Sequence, residues 1–226
     1  MIEIVMTGQS GKSDLLFQMH RLRARVLREQ LKWDVSVQRG LEVDQYDLPD
    51  TLYLLSLNQR KEVRGCWRLL PSTGTTMLGD VFGHLLPAHQ PMPRDPAAWE
   101  ASRFVVERHG EGRVSLAESS AALREMIAAL CDFSALMQLR EIWTACEVSM
   151  LRLASRLGYQ PDWVGPAQKV GNYECVAARF LMPPEQSKDL RRHLGFAHPV
   201  LHPDDLPAQA WALRKKGSSD AVPRCA

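Results

Sequence analysis

The side chains best equipped for chemistry in this sequence are charged groups set among apolar ones. At about 100° per residue, a helix opening at Ser13 gathers Leu15, Leu16, Met19, Leu22, Val26 and Leu27 on one face, with Arg21, Arg25 and Arg28 opposite. Arg23 falls on the apolar face. A guanidinium there either snorkels out along its neighbours or turns inward to meet carboxylates. Candidate carboxylates follow in Glu42-Val43-Asp44-Gln45-Tyr46-Asp47, an acid-rich run that also suits a solvated turn. A second charged pair interrupts the apolar run Trp99-Glu100-Ala101-Ser102-Arg103-Phe104. Strict alternation sends Glu100 and Arg103 to opposite faces of a strand. They therefore serve one site only if a β-bulge separates them, and are otherwise an ion pair on an exposed edge. Together these groups offer a carboxylate able to take a proton, arginines able to orient anions, and acids able to balance a cation.

The elements that must position them follow from periodicity and turn residues. Ile2 to Met6 reads as a short edge strand, and Ser13 as the N-cap of a helix reaching about Glu29. Trp33 to Pro49 reads as a loop, Thr51 to Leu57 and Glu62 to Leu70 as a strand hairpin, and Trp99 to Glu107 as a third core strand. The Pro-rich connection from Pro71 to Pro96 has room for a helical turn near Asp80 to Leu85. After the loop His109-Gly110-Glu111-Gly112-Arg113 come a long helix, Leu116 to Met137, and a buried strand, Glu141 to Cys146. A helix from Ser149 to Leu157, a strand from Tyr173 to Leu181 and a helix from Pro184 to His193 complete the order. One domain is expected over residues 1–200, with 201–226 a loosely ordered tail on its Pro, Ser and Lys content.

Composition narrows the class. With 226 residues, 45% hydrophobic and 24% charged, the chain can bury a core and is not disordered. Lys and Arg number 28 against 26 acids, a net charge of +2, which lacks the basic excess of a nucleic-acid binder. Five cysteines without a CxxC pair and seven histidines without an HExxH cluster argue against a metal site or a disulfide framework. The N-terminal residues lack a basic, apolar leader, and no stretch approaches the roughly 20 apolar residues that span a bilayer. A soluble, cytoplasmic, reduced protein is expected, with no membrane insertion, no nucleic acid and no obligate protein partner.

An antiparallel meander flowing into strand, glycine loop, helix, strand and helix resembles acyltransferases of the GNAT fold. That likeness implies an α/β (α+β) class with a mixed twisted sheet flanked by helices. Within this order stand Arg23, Trp33-Asp34, Glu42-x-Asp44-x-x-Asp47, Gly65-Cys66-Trp67-Arg68-Leu69-Leu70-Pro71, Phe82 and Trp99-Glu100-x-Ser102-Arg103-Phe104. In order and spacing they resemble the signature of the LuxI-type autoinducer synthases, the acyl-homoserine-lactone synthases of bacterial quorum sensing, over roughly residues 1–180. One departure is Leu27, where the family usually has phenylalanine.

The resemblance implies a reaction. The amine of S-adenosylmethionine attacks an acyl thioester, and its carboxylate then displaces the sulfonium to close a lactone and release methylthioadenosine. S-adenosylmethionine would be a substrate with no permanently bound cofactor, and the acyl donor would be an acyl carrier protein or acyl-CoA. On this basis Glu100 is the general base, and Arg103, Asp44, Asp47 and Arg23 complete the catalytic set. Trp33, Asp44, Asp47, Arg68, Phe82 and Arg103 surround S-adenosylmethionine, while Ser102, Phe104, Met126, Ile127, Leu130, Thr144 and Met150 line the acyl chain. A backbone N–H on the third strand would stabilise the oxyanion.

Several features stay open between two readings. Gly110-x-Gly112 either cradles a CoA phosphate or is a plain turn, and Arg108 lies one residue off the register of CoA-using relatives. Arg152, Arg156, Arg191, Arg192, Lys215 and Lys216 are either a docking face for an acidic carrier protein or scattered surface charges. The Thr144 hydroxyl either bonds a backbone carbonyl or meets a substituent on the third acyl carbon. The competing function is a GNAT-type N-acetyltransferase using acetyl-CoA, which accounts for the element order but leaves Trp33, Asp44, Asp47, Glu100 and Arg103 without a purpose. A catalytically silent effector-binding domain is a third.

Overall fold

In the computed structural model, residues 1–107 and 116–215 are described. An eight-stranded sheet carries the chain in the spatial order β1 (Ile2–Met6), β4 (Leu52–Leu57), β5 (Val63–Pro71), β6 (Ala98–Val106), β7 (Glu141–Glu147), β10 (Tyr173–Leu181) and β8 (Asp162–Trp163). The short β9 (Gln168–Val170) also pairs with β10, and β2 (Val37–Gln38) and β3 (Leu41–Glu42) form a separate two-stranded ribbon. The helices are α1 (Ser13–Arg23), α2 (Met77–Asp80), α3 (Leu116–Met137), α4 (Val148–Arg156), α5 (Pro184–His193) and α6 (Ala208–Lys215). No described helix is long and apolar enough to cross a membrane.

Alternation along the strands sorts the core into two layers. On one face Val5, Tyr53, Leu55, Cys66 and Val105 pack against Met19 and Leu22 of α1 and against Val26 and Leu27 beyond it. On the other, Ile4, Leu54, Leu69, Trp99, Ala101 and Ile142 pack against Met126, Ala129 and Phe133 of α3. Ser13 is the first helical residue rather than the cap. Lys12 occupies the cap position without a side-chain bond to the helix N-terminus, and Asp14 supplies the anion that this end favours. The helix continues past Arg23 as a π-helical stretch, Ala24–Gln30, the wider coil that tends to accompany functional sites.

Two irregularities in the sheet matter for function. The β6–β7 pair is parallel while its neighbours are antiparallel, and it joins only Ala98, Trp99 and Glu100 to Glu141, Ile142 and Trp143. Beyond that the two strands part. The second irregularity lies between β5 and β6, where Arg68 faces Ser102 but Cys66 faces Val105, so Trp67 alone opposes Arg103 and Phe104. This is a β-bulge, and Arg103 adopts a left-handed φ of 54° within it. Ser102 shares the Glu100 face by alternation, and the bulge lets Arg103 project there too while turning Phe104 to the α3 face, 4.6 Å from the Trp67 ring.

The loose tail expected from residue 201 is corrected over its described part. Leu201, Leu206 and Ala210 are buried in the α3 cluster, Pro203–Asp205 forms a 3₁₀ turn, and α6 follows. Pro203 marks a helical start, which its fixed φ favours, rather than disorder. Asp132 of α3 anchors this segment. Its carboxylate meets Arg191 Nη1 at 3.2 Å and accepts from the Val200 and Leu201 N–H groups at 2.6 and 3.3 Å. Arg191 is thereby buried in an ion pair and does not belong to a basic docking face. Replacing Asp132 by alanine strands the guanidinium and two backbone donors, so Asp132→Ala is expected to cost about 2 to 4 kcal/mol in denaturant unfolding. Hydrogen exchange should quicken over residues 196–215, and unchanged protection there would show that Asp132 does not hold the segment.

Candidate active site

Arg23 turns inward. Its guanidinium is completely buried, with Nε and Nη2 on Glu42 Oε2, and Nη1 and Nη2 forked onto Asp47 at 2.8 and 3.1 Å. Glu42, equally buried at the end of β3, also accepts from Arg103 Nε at 3.0 Å. Asp44 is shared in the same way, with Arg103 Nη2 at 2.7 Å from one oxygen and Arg68 Nη1 at 2.5 Å from the other. Arg68 Nη1 reaches Asp47 at 3.1 Å, and its Nε donates to the Ser102 hydroxyl at 3.1 Å. Three arginines from α1, β5 and β6 thus interlock with three acids from β3 and the loop after it.

The acids are held by their own loop as well as by the arginines. The Asp44 N–H donates to Asp47 Oδ2 and the Tyr46 N–H to Asp44 Oδ1, both at 2.8 Å, which is the short-range bonding that Asp favours in turns. Tyr53 of β4 donates its hydroxyl to Asp47 at 2.6 Å. The Met77 sulfur lies 3.2 Å from Arg68 Nη2 and 3.3 Å from Arg103 Nη1, and the Tyr46 ring lies beneath the Arg68 guanidinium.

Electrostatics separate Glu100 from this cluster. Burial alone would push the Asp47 carboxyl up, but Arg23, Arg68 and the Tyr53 hydroxyl outweigh it and hold the group well below the usual carboxylate range. Glu100 goes the other way. Burial raises it above that range, offset only in part by the Leu78 N–H, by the Arg68 charge and by Ser102. Its Oε2 accepts from the Leu78 N–H at 3.0 Å, at the start of α2. Asp47 is therefore fixed as an anion, whereas Glu100 is poised to exchange a proton. Burial also pushes the Cys66 thiol up to about 12, which removes it as a nucleophile.

The remaining candidates fall around this centre on both faces of the sheet. Phe82 packs against Tyr46, Leu70 and Met77 on one side and touches the cluster of Leu78, Ala98 and Trp143 on the other. Trp33 stacks on Tyr173 of β10 at 5.7 Å, and the Tyr173 hydroxyl donates to the Leu31 carbonyl. On the α3 face, Phe104, Met126, Ile127 and Leu130 share one cluster with Ile142. Thr144 follows Ile142 on the same face of β7, with its hydroxyl 3.4 Å from the Ala145 carbonyl, and Met150 is half-buried on α4. Ser102, expected along the acyl chain, sits on the Glu100 face bonded to Arg68, because the bulge follows it rather than precedes it. Leu27 lies in the core beneath α1. Arg108, Gly110, Gly112 and Lys216 lie outside the described residues.

Two partners were not singled out from sequence. Glu42 was visible only as one of three neighbouring acids, although it joins Arg23 to Arg103. Tyr53 reads as an ordinary β-strand aromatic, and only the pairing of β4 with β5 sets it beside Arg68.

The fold has relatives in acyl transfer. An acyl-CoA N-acyltransferase from Pseudomonas aeruginosa superposes with a TM-score of 0.53 at 15% identity, covering 80% of this chain and 98% of that one, a likeness of fold alone. The architecture is thus a GNAT-like fold, a mixed twisted sheet flanked by helices. Residues 9–190 match the autoinducer synthase family. An acyl-homoserine-lactone synthase of Pseudomonas aeruginosa is 36% identical over 181 residues, spanning 78% of this chain and 88% of that protein. One of Agrobacterium fabrum is 36% identical over 170 residues, spanning 73% and 78%. The CoA-dependent acyl-homoserine lactone synthase BjaI, solved with SAM and isopentyl-CoA, superposes with a TM-score of 0.82 at 29% identity over 96% of this chain and 99% of that one. The synthase LasI gives 0.75 at 30% identity, over 89% and 98%. The chain belongs to the autoinducer synthase family, enzymes that transfer an acyl group to make acyl-homoserine lactones.

Arg23→Ala takes from the buried Glu42 and Asp47 the cation they share, leaving each with only one arginine, Arg103 and Arg68 respectively, and is expected to cost about 3 to 5 kcal/mol. The pH dependence carries a second signature. Because the Asp47 carboxyl titrates lower in the folded than in the unfolded chain, its contribution is complete above the unfolded value and is lost as pH falls through the folded one. Below about pH 4, stability of the parent enzyme should fall more steeply than that of Arg23→Ala, measured as urea midpoints. Parallel curves would assign acid sensitivity to other groups.

Proposed function

We propose that this enzyme makes an N-acyl-homoserine lactone from S-adenosylmethionine and an acyl thioester, with Glu100 as the base. The observation that carries the reading is a buried carboxyl of raised proton affinity, set on a bulged strand between a charge-matched acid–arginine cluster and the parting of β6 from β7. Glu100 takes a proton from the substrate ammonium, and the freed amine attacks the thioester carbon. The new C–N bond replaces the C–S bond, and the carrier thiol leaves with a proton. The substrate carboxylate then closes on the carbon bearing the sulfonium, whose C–S bond breaks to release methylthioadenosine.

The surroundings support each demand. Asp44 and Asp47 balance the ammonium and sulfonium, Arg68 and Arg103 orient the carboxylate, Arg23 keeps Asp47 ionised, and Phe82 and Trp33 wall the nucleoside. Past Glu100, the edge of β6 that faces β7 lacks strand partners in β7, which leaves backbone N–H groups for the oxyanion. The same opening connects the two faces of the sheet. The amine arrives from the α1 side, while the acyl chain lies on the α3 side among Phe104, Met126, Ile127, Leu130, Thr144 and Met150. The chain's likeness to a CoA-dependent synthase favours acyl-CoA as the donor, and exposed Arg152 and Arg156 on α4 suit an acidic acyl carrier protein as the alternative. Both substrates place the reaction in the cytoplasm. An acetyl-CoA N-acetyltransferase would leave the acid–arginine cluster unused.

Incubation with S-adenosylmethionine and a panel of acyl-CoA and acyl-carrier-protein donors should release methylthioadenosine together with an acyl-homoserine lactone. Failure with every donor would overturn the reading. Glu100→Gln should keep S-adenosylmethionine binding within a few-fold but lower turnover by about 10². Parent turnover should rise with pH through a midpoint above the usual carboxylate range, and that rise should vanish in the variant.

Thr144→Val retains shape but loses the hydroxyl. It is expected to erode any preference for 3-oxo over unsubstituted donors by up to about tenfold, the limit set by one hydrogen bond. Equal losses on both donor types in a kcat/KM comparison would assign Thr144 to strand support.

A further inference from the structure

Glycine inside a buried strand weakens it, and marks a place where another group needs the space. Gly65 is such a residue. It is buried in β5, opposite Ser56 of β4 and Val106 of β6, and it is not among the glycines with positive φ, so its backbone makes no demand for glycine. A Cβ built there would lie 2.7 Å from the Met126 sulfur and 3.3 Å from the Val105 carbonyl oxygen. The thioether of Met126 fills the volume that a side chain at residue 65 would take.

Met126 lies fully buried on α3 in the cluster that holds Phe104, Trp67, Ile127 and Leu130. An acyl chain entering this packed layer must displace side chains, and an unbranched methionine is the one best able to move. How far it can withdraw depends on the floor beneath it. We infer that Gly65 is a positioning residue for acyl-length specificity, recessing Met126 into β5 and so leaving room for longer chains, an inference that rests on the proposed placement of the acyl chain on the α3 face. Gly65 touches neither substrate and acts through Met126. With alanine at residue 65 the backbone carbonyl of Val105 holds its strand, and the flexible thioether is driven off β5 into the layer the chain would occupy.

The test compares hexanoyl and dodecanoyl donors by the rate of methylthioadenosine release. Gly65→Ala should lower the dodecanoyl-to-hexanoyl ratio of kcat/KM by about tenfold or more, the size of a misfit of one or two methylenes in an apolar pocket, while the KM for S-adenosylmethionine stays put. Adding Met126→Ala to Gly65→Ala should restore the ratio to that of Met126→Ala alone, since the two positions act as one. An unchanged ratio in Gly65→Ala, beside a changed one in Met126→Ala, would overturn the role of Gly65 and leave the acyl placement standing. Unchanged ratios in both would overturn the placement and the inference together. If Gly65→Ala does not fold, the double variant decides: a ratio different from that of Met126→Ala would show that residue 65 acts by another route.

Discussion

Everything at the centre of this molecule depends on keeping the Arg23 guanidinium out of water. A lone cation in the interior is untenable, so carboxylates must be brought to it, and each carboxylate in turn recruits another arginine. The loop carrying Glu42, Asp44 and Asp47 has almost no strand or helix of its own, and takes its shape from these pairs. Ion pairs this deeply buried rarely outdo a well-packed apolar core in stability. Their presence in place of leucines is better explained by what the charges do than by what they hold.

The sheet makes a comparable concession. A regular β6 would split Glu100 from Arg103, and the bulge avoids this at the cost of an arginine in a left-handed conformation, of order 1 to 3 kcal/mol. The strain is contained because Glu42, Asp44 and Met77 all grip that side chain. One extra residue also reverses the phase of the rest of the strand, so Phe104 packs under α3 while its neighbour Arg103 serves the opposite face. The parting of β6 from β7 lies beside it, so the two interruptions of regular pairing fall together next to the charged cluster.

Much of this was legible in the residues. The limits of α3 and β10 follow from periodicity, and the alternation of β7 puts Thr144 with Ile142. The helical phase of Arg23 shows that it is buried or snorkelling, and only the structure chooses. The need for a bulge is deducible from Glu100 and Arg103, but its position is a property of the β5–β6 pairing and not of either strand alone. Ser102 reads as an acyl-chain residue only through the resemblance, whereas alternation from Glu100 sets it on the face of Arg68. The widened turn after Arg23 carries no local signal, since Ala24–Gln30 would serve equally well in an α-helix. Composition misleads at residues 201–215, where prolines read as looseness and the buried Leu201, Leu206 and Ala210 are too sparse to show a period.

The bond from Tyr173 to the Leu31 carbonyl spans 142 residues of sequence, and the ring of Trp33 rests against Tyr173 from nearly as far. Contacts of such separation form late, because the loop they close must be paid for in entropy before any reward returns. A chain still on the ribosome can build the β4–β5 hairpin and bury Arg23 beneath α1, yet its Trp33 has nothing to rest on until β10 has been translated. The ring contact beside Trp33 therefore arrives only with the last quarter of the polypeptide, and a truncated product that lacks β10 would leave Trp33 without Tyr173 beside it.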